Sequence, residues 1–143
     1  MPIQYHPKRG QVLMCDFSEG FKPPEMVKNR PVIVFTPEFK GRSGLVSVVP
    51  LSTRKPAKIM PYHYQMPQKS LPMTAFFYGK ESWVKGDLIY TVGLQRLSLI
   101  SLSRKNGKRD YYSDTLDAEI MLAVDKCVLH GLGFARLANL LDR

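Results

Sequence analysis

Three places in the chain carry side chains suited to chemistry on a phosphodiester. Arg30 stands directly before Pro31 and the β-branched run Val32-Ile33-Val34. A guanidinium offers forked donors that match two phosphoryl oxygens at once. The proline after it favours an extended backbone at the loop edge from which the arginine projects. Ser52 and Thr53 close the apolar run Leu45-Val46-Ser47-Val48-Val49-Pro50-Leu51. A hydroxyl there either bonds a phosphate, orients an attacking group, or simply caps a turn. Lys85 and Asp87 lie two apart within Ser82–Val92. On one continuous strand that spacing puts both on the same face. A cation and a carboxylate side by side can clamp a phosphate and accept a proton. An ordinary surface ion pair has the same appearance.

Strands must position these groups. Gln11–Phe17 follows Gly10 and reads as a first strand ending at Ser18-Glu19-Gly20. Phe21 to Arg30 holds Pro23-Pro24 and several charges, and reads as a long exposed loop. Pro31–Thr36 reads as a strand buried on both faces, joined through Lys40-Gly41-Arg42-Ser43-Gly44 to Leu45–Leu51 as a hairpin. From Arg54 to Pro72 the prolines at 56, 61, 67 and 72 forbid a helix and leave room only for an edge strand around Ile59–Gln65. Met73–Tyr78 and Ser82–Val92 read as further strands, and Asn106-Gly107 as a type I′ hairpin turn. A helix is expected from Ser113-Asp114-Thr115, capped by Asp114. Leu116, Ile120, Ala123, Val124, Cys127 and Val128 then form one apolar stripe, which Gly131 and Gly133 end. Phe134–Leu141 reads as a further turn or two of helix. Six or seven short strands over about 10–105, then a helix over about 114–130, predict a single domain over 1–143. It is mainly β with a C-terminal helix, built as a small, strongly bent barrel.

At 143 residues the chain suits one domain with a core of its own. Its 44% hydrophobic and 23% charged residues are globular composition, which excludes wholesale disorder. Cys15 and Cys127, far apart among apolar neighbours, read as reduced, buried thiols of a cytoplasmic protein. Two cysteines and three histidines without ligand spacing give no metal site, and no cofactor motif is present. The N-terminus lacks the apolar core of a signal peptide, and no stretch is long enough to span a membrane. The net charge of +9 is uneven. Residues 1–109 hold 18 basic and 6 acidic side chains, whereas residues 110–143 hold 3 and 6. That field attracts a polyanion such as nucleic acid. Lys28, Arg54 and Lys55 supply backbone contacts in this reading. Tyr62 and Tyr64, among lysines, suit stacking on unpaired bases; Phe77 and Trp83 suit the core better, and Tyr78 is a further aromatic among lysines. His6, His63 and His130 lie in a frayed start, a proline-rich segment and a helix end; each can serve as an acid or base, but none is assigned that role.

Four blocks in order resemble the PemK/MazF toxin family. They are Arg9-Gly10-Gln11-Val12 with Cys15-Asp16-Phe17, Arg30-Pro31-Val32-Ile33-Val34, Val48-Val49-Pro50-Leu51-Ser52-Thr53, and Val84–Val92 followed by Arg96-Leu97. The resemblance implies a CcdB/Kid-like barrel related to SH3 barrels. It implies a homodimer that cleaves single-stranded RNA without metal, by attack of the 2′-hydroxyl on the adjacent phosphate, and an antitoxin whose acidic tail covers the site. It makes Arg30 the leading catalytic residue, aligns Ser52 with a family threonine, and gives Glu25 the place of a loop glutamate that accepts a proton or anchors Arg30. Two positions depart from one branch of the family. Pro24 replaces a histidine, and Lys85 an arginine. A protein-inhibiting toxin of the same fold, such as a gyrase poison, and a catalytically inert RNA-binding barrel are the competing readings.

Overall fold

The computed structural model describes residues 2–103 and 106–142. The strands are β1 (Val12–Asp16), β2 (Asn29–Val34), β3 (Leu45–Ser52), β4 (His63–Gln65), β5 (Trp83–Lys85), β6 (Tyr90–Gly93) and β7 (Leu97–Ser98). Two helices follow, α1 (Ala118–Gly131) and α2 (Ala135–Leu140). The pairings described are antiparallel, in the order β4-β5-β3-β2-β1-β7, with β6 also on β3. The fold is therefore mainly β with a C-terminal helix, and β1, β2 and β3 fall where their apolar runs place them.

Alternation along these strands divides the core in two. Val12, Ile33, Val49, Leu51 and Val84 face α1, which lays Ile120, Met121, Val124, Cys127 and Val128 against them. Each such side chain contributes roughly 1.5–3 kcal/mol by leaving water. On the opposite face Leu13, Cys15, Val32, Val34, Val46, Val48 and Val92 form a second cluster with Phe17. Phe21 and Met26 roof this cluster, so the segment between β1 and β2 is not the wholly exposed loop its prolines suggest. Phe17, Phe21 and Tyr90 stack with centroids 5.1–5.4 Å apart. The Met26 N–H donates to the Tyr90 hydroxyl at 2.8 Å. Phe77 and Trp83 are both buried.

Three expected elements differ. Met73–Tyr78 is a turn, because the Thr74 carbonyl accepts from both the Phe77 and the Tyr78 N–H. α1 begins four residues late, capped by Asp117, whose Oδ1 accepts from the Ile120 N–H at 2.8 Å. The residues before it are extended: Tyr112 N–H bonds the Ile100 carbonyl, Thr115 bridges Gln11, and Leu116 N–H bonds the Gly10 carbonyl. Ser82–Val92 is not one strand. Val48 faces Tyr90 and Leu51 faces Val84, so β3 advances three residues while the opposite chain covers six. The surplus bulges out between β5 and β6, with a turn at Gly86-Asp87. Of the expected hairpin turn, Arg104 and Lys105 lie outside the described residues; Asn106 and Gly107 both take positive φ, 54° and 76°.

Candidate active site

The β2–β3 ladder pairs Val32 with Pro50. The ladder ends there: two residues further along β2, Arg30 pairs with Cys15 of β1, and two residues further along β3, Ser52 pairs with Trp83 of β5. Residues directly opposite in an antiparallel pair share a face, about 5 Å apart. Arg30 lies two residues from Val32 and Ser52 two from Pro50, so alternation puts both on the face away from α1, at one end of the sheet. Two residues along β5, Lys85 falls on that same face and pairs with His63 of β4. The intervening Val84 and Tyr64 face the α1 side.

Each group is held at its root. Arg30 is half-buried, and its Nε–H donates to the Val27 carbonyl at 3.2 Å. Among the described residues neither terminal nitrogen makes a hydrogen bond. Among the described residues no carboxylate lies within ion-pair distance of it. Lys28, exposed, turns the chain into β2 with a left-handed φ of 68°, and its carbonyl accepts from the Phe17 N–H. The Ser52 hydroxyl accepts from the Arg54 N–H at 3.1 Å. It is thus a turn cap that still has its own proton to donate. Thr53 is half-buried in the bend that follows, and Arg54 and Lys55 are exposed beyond it.

Asp87 is not placed in the way its spacing from Lys85 suggests. It lies in the turn after β5, not on a strand with Lys85, so alternation does not place it. Helix α1 places it. A Cβ on Gly86 would stand 2.5 Å from the Cys127 carbonyl carbon, and one on Gly131 would stand 2.7 Å from the Asp87 Cα. The turn and the end of α1 touch backbone to backbone, which only glycine at both positions permits. Burial, chiefly, pushes the Tyr90 phenol up, against the lowering effect of the Met26 N–H. The carboxylates of Glu25 and Asp87 add to the rise. Glu25 does not anchor Arg30; its Oε1 accepts from the Lys22 N–H at 3.3 Å.

Tyr62 and Tyr64 separate. Tyr64 packs into the core under α1, where burial raises its hydroxyl pKa, helped by Glu119 and Asp117. Tyr62 is half-buried and packs edge-on against His63, with centroids 4.6 Å apart. His63 is the residue that reading the sequence passed over. Burial first and Lys85 second lower its pKa, opposed by Asp87. The available signal was its place next to Tyr64: an inward tyrosine on a short edge strand turns its neighbour to the other face. Among the described residues no three His, Cys, Asp or Glu side chains gather as a metal site, and no helix is long and apolar enough to cross a membrane.

Residues 8–132 match the PemK-like, MazF-like toxins of type II toxin-antitoxin systems, and the chain belongs to that family. An uncharacterised protein of Haemophilus influenzae is 28% identical over 146 residues, covering 95% of this chain and 96% of that protein. MazF from Deinococcus radiodurans shares the fold with a TM-score of 0.63 at 20% identity, over 91% of this chain and 99% of that one. An endoribonuclease in complex with its cognate antitoxin from Mycobacterial species aligns with a TM-score of 0.58 at 22% identity, over 90% and 96%.

Proposed function

We propose that this protein is an endoribonuclease toxin that cuts single-stranded RNA by attack of a 2′-hydroxyl on the adjacent phosphate. The observation that carries the reading is the strand alternation that turns Arg30, Ser52 and Lys85 to one face of the sheet. Family membership and the named endoribonuclease among its structural neighbours support it.

In this mechanism the 2′-oxygen bonds to phosphorus, the P–O5′ bond breaks, and a 2′,3′-cyclic phosphate and a 5′-hydroxyl result. Asp87, or Glu25 from the loop, accepts the 2′-hydroxyl proton, and the departing 5′-oxygen gains a proton from water. Arg30 holds two phosphoryl oxygens as charge builds on them, and Lys85 adds a second cation. Ser52 donates its hydroxyl proton in a hydrogen bond to the phosphate, with Thr53 as the adjacent hydroxyl. Lys28, Arg54 and Lys55 draw in the flanking backbone. Tyr62 offers a stacking surface, and Tyr64 acts only by supporting β4 from beneath. No metal or cofactor enters any step. The chain works in the cytoplasm as a homodimer of one-domain subunits, silenced by an antitoxin whose acidic tail the basic field attracts.

The test is incubation of purified protein with mixed RNA in excess chelator. Fragments ending in cyclic phosphate, reduced on the order of 10²-fold in Arg30→Ala, are expected. RNA left intact but retained on a gel points to an inert RNA-binding barrel. Intact, unbound RNA points to a protein-directed toxin.

A further inference from the structure

His63 occupies a defined place on the face described above, yet the roles assigned so far leave it idle. It pairs with Lys85 across β4 and β5, on the side opposite Tyr64. Its ring is fixed by the turn that precedes it. The Met60 N–H donates to His63 Nδ1 at 3.0 Å, and the His63 N–H donates back to the Met60 carbonyl at 2.9 Å. An imidazole nitrogen that accepts a hydrogen bond carries no proton, so the neutral ring bears its proton on Nε2. The Tyr62 ring packs edge-on against the imidazole. The charged groups that bear on it are Lys85 from β5 and Asp87 from the turn.

We infer that His63 binds the scissile phosphate as a neutral hydrogen-bond donor, through Nε2–H beside the Lys85 ammonium, and is neither the general base nor the general acid. The inference rests on the ribonuclease reading above. A general base needs a lone pair on Nε2, which moves the proton to Nδ1, where the Met60 N–H already points. A general acid needs the imidazolium, which sets two N–H groups against each other at the same spot. Burial and the Lys85 charge oppose that form as well. A neutral donor avoids both conflicts. It contributes a fixed dipole where negative charge develops on the non-bridging oxygens, and no proton leaves it.

Three measurements test this. Ring ¹⁵N NMR of the full chain at neutral pH shows Nδ1 unprotonated and Nε2 protonated. A pool of fully 2′-O-methylated single-stranded oligonucleotides, which cannot be cleaved, then shifts the Nε2–H resonance. In single-turnover cleavage His63→Ala loses on the order of 10²-fold. His63→Gln, whose side-chain amide donates from a similar reach, recovers most of that loss, and its rate relative to wild type stays flat from pH 6 to 8. Circular dichroism checks that both variants fold. A proton on Nδ1, or His63→Gln as impaired as His63→Ala, overturns the inference. If wild-type protein cleaves no RNA, the ribonuclease reading fails, and the ring decides the rest. A shifted Nε2–H still supports a donor contact to nucleic acid, and an unmoved one removes it.

Discussion

Gly131→Ala separates two effects of opposite sign. In an isolated helix alanine is favoured over glycine by about 1 kcal/mol. Here the new methyl would stand 2.7 Å from the Asp87 Cα, where ordinary contact begins near 3.4 Å. The neighbouring atoms are backbone and the Gly86 carbonyl oxygen stands nearer still, so no rotamer relieves the clash and the turn or the end of α1 must retreat. Overpacking of this kind destabilises by about 1–3 kcal/mol. The net expectation is a loss of about 1 kcal/mol or more and a melting temperature lower by about 3–6 °C. The displaced turn carries Asp87, so RNA cleavage falls by more than the stability loss explains, on the order of tenfold at a temperature where the variant is fully folded. Leu122→Ala, at an exposed position on α1, is the control and stays near wild type in both assays. Urea denaturation and single-turnover kinetics read the two effects separately. A Gly131→Ala protein that is more stable than wild type and fully active refutes the backbone contact as the element that sets Asp87.

Three further outcomes follow from named contacts. Tyr90→Phe removes the acceptor of the Met26 N–H and weakens the protein by about 1 kcal/mol, with faster hydrogen exchange across residues 18–28. Asp117→Ala removes the cap of α1 at a loss of about 1 kcal/mol in chemical denaturation, whereas Asp114→Ala changes stability little. Burial pushes the thiols of Cys15 and Cys127 up to about 12 and about 11. The folded values lie above the thiol's ordinary value of 9.0, so the unfolded chain ionises first. Stability is therefore full below pH 9 and declines as pH rises toward 11 and 12, and neither thiol reacts with a disulfide reagent at pH 8 in the native state.

The chain advertises some of this plainly and conceals the rest for definite reasons. β1, β2 and β3 are legible because their apolar runs lie between turn residues, and Cys127 and Val128 are legible as part of a helical stripe. The start of α1 is not, because Ser113, Asp114 and Asp117 are all good caps. Long-range bonds to Gly10 and Ile100 hold the first two in extended chain. The break between Lys85 and Tyr90 is invisible to alternation, since a register slip shows only against the partner strand. Met73–Tyr78 has strand-forming residues, but a bond from the Gln68 side chain to the Phe77 carbonyl fixes a turn that buries Phe77. Arg30 and Ser52 are readable as types, while the face they share is a property of the ladder. His63 was hidden by its setting among prolines, where a strand of three residues leaves little pattern to read.

The central claim is that the sheet face away from α1 receives the RNA. The most direct measurement is two-dimensional NMR of the chain titrated with the non-cleavable oligonucleotide pool. The side chains of Arg30, Lys85 and His63 and the amides of Ser52 and Asp87 are expected to shift together, while Tyr64 and the outer surface of α1 stay still. Shifts centred on α1, with Arg30 and Lys85 unmoved, contradict it.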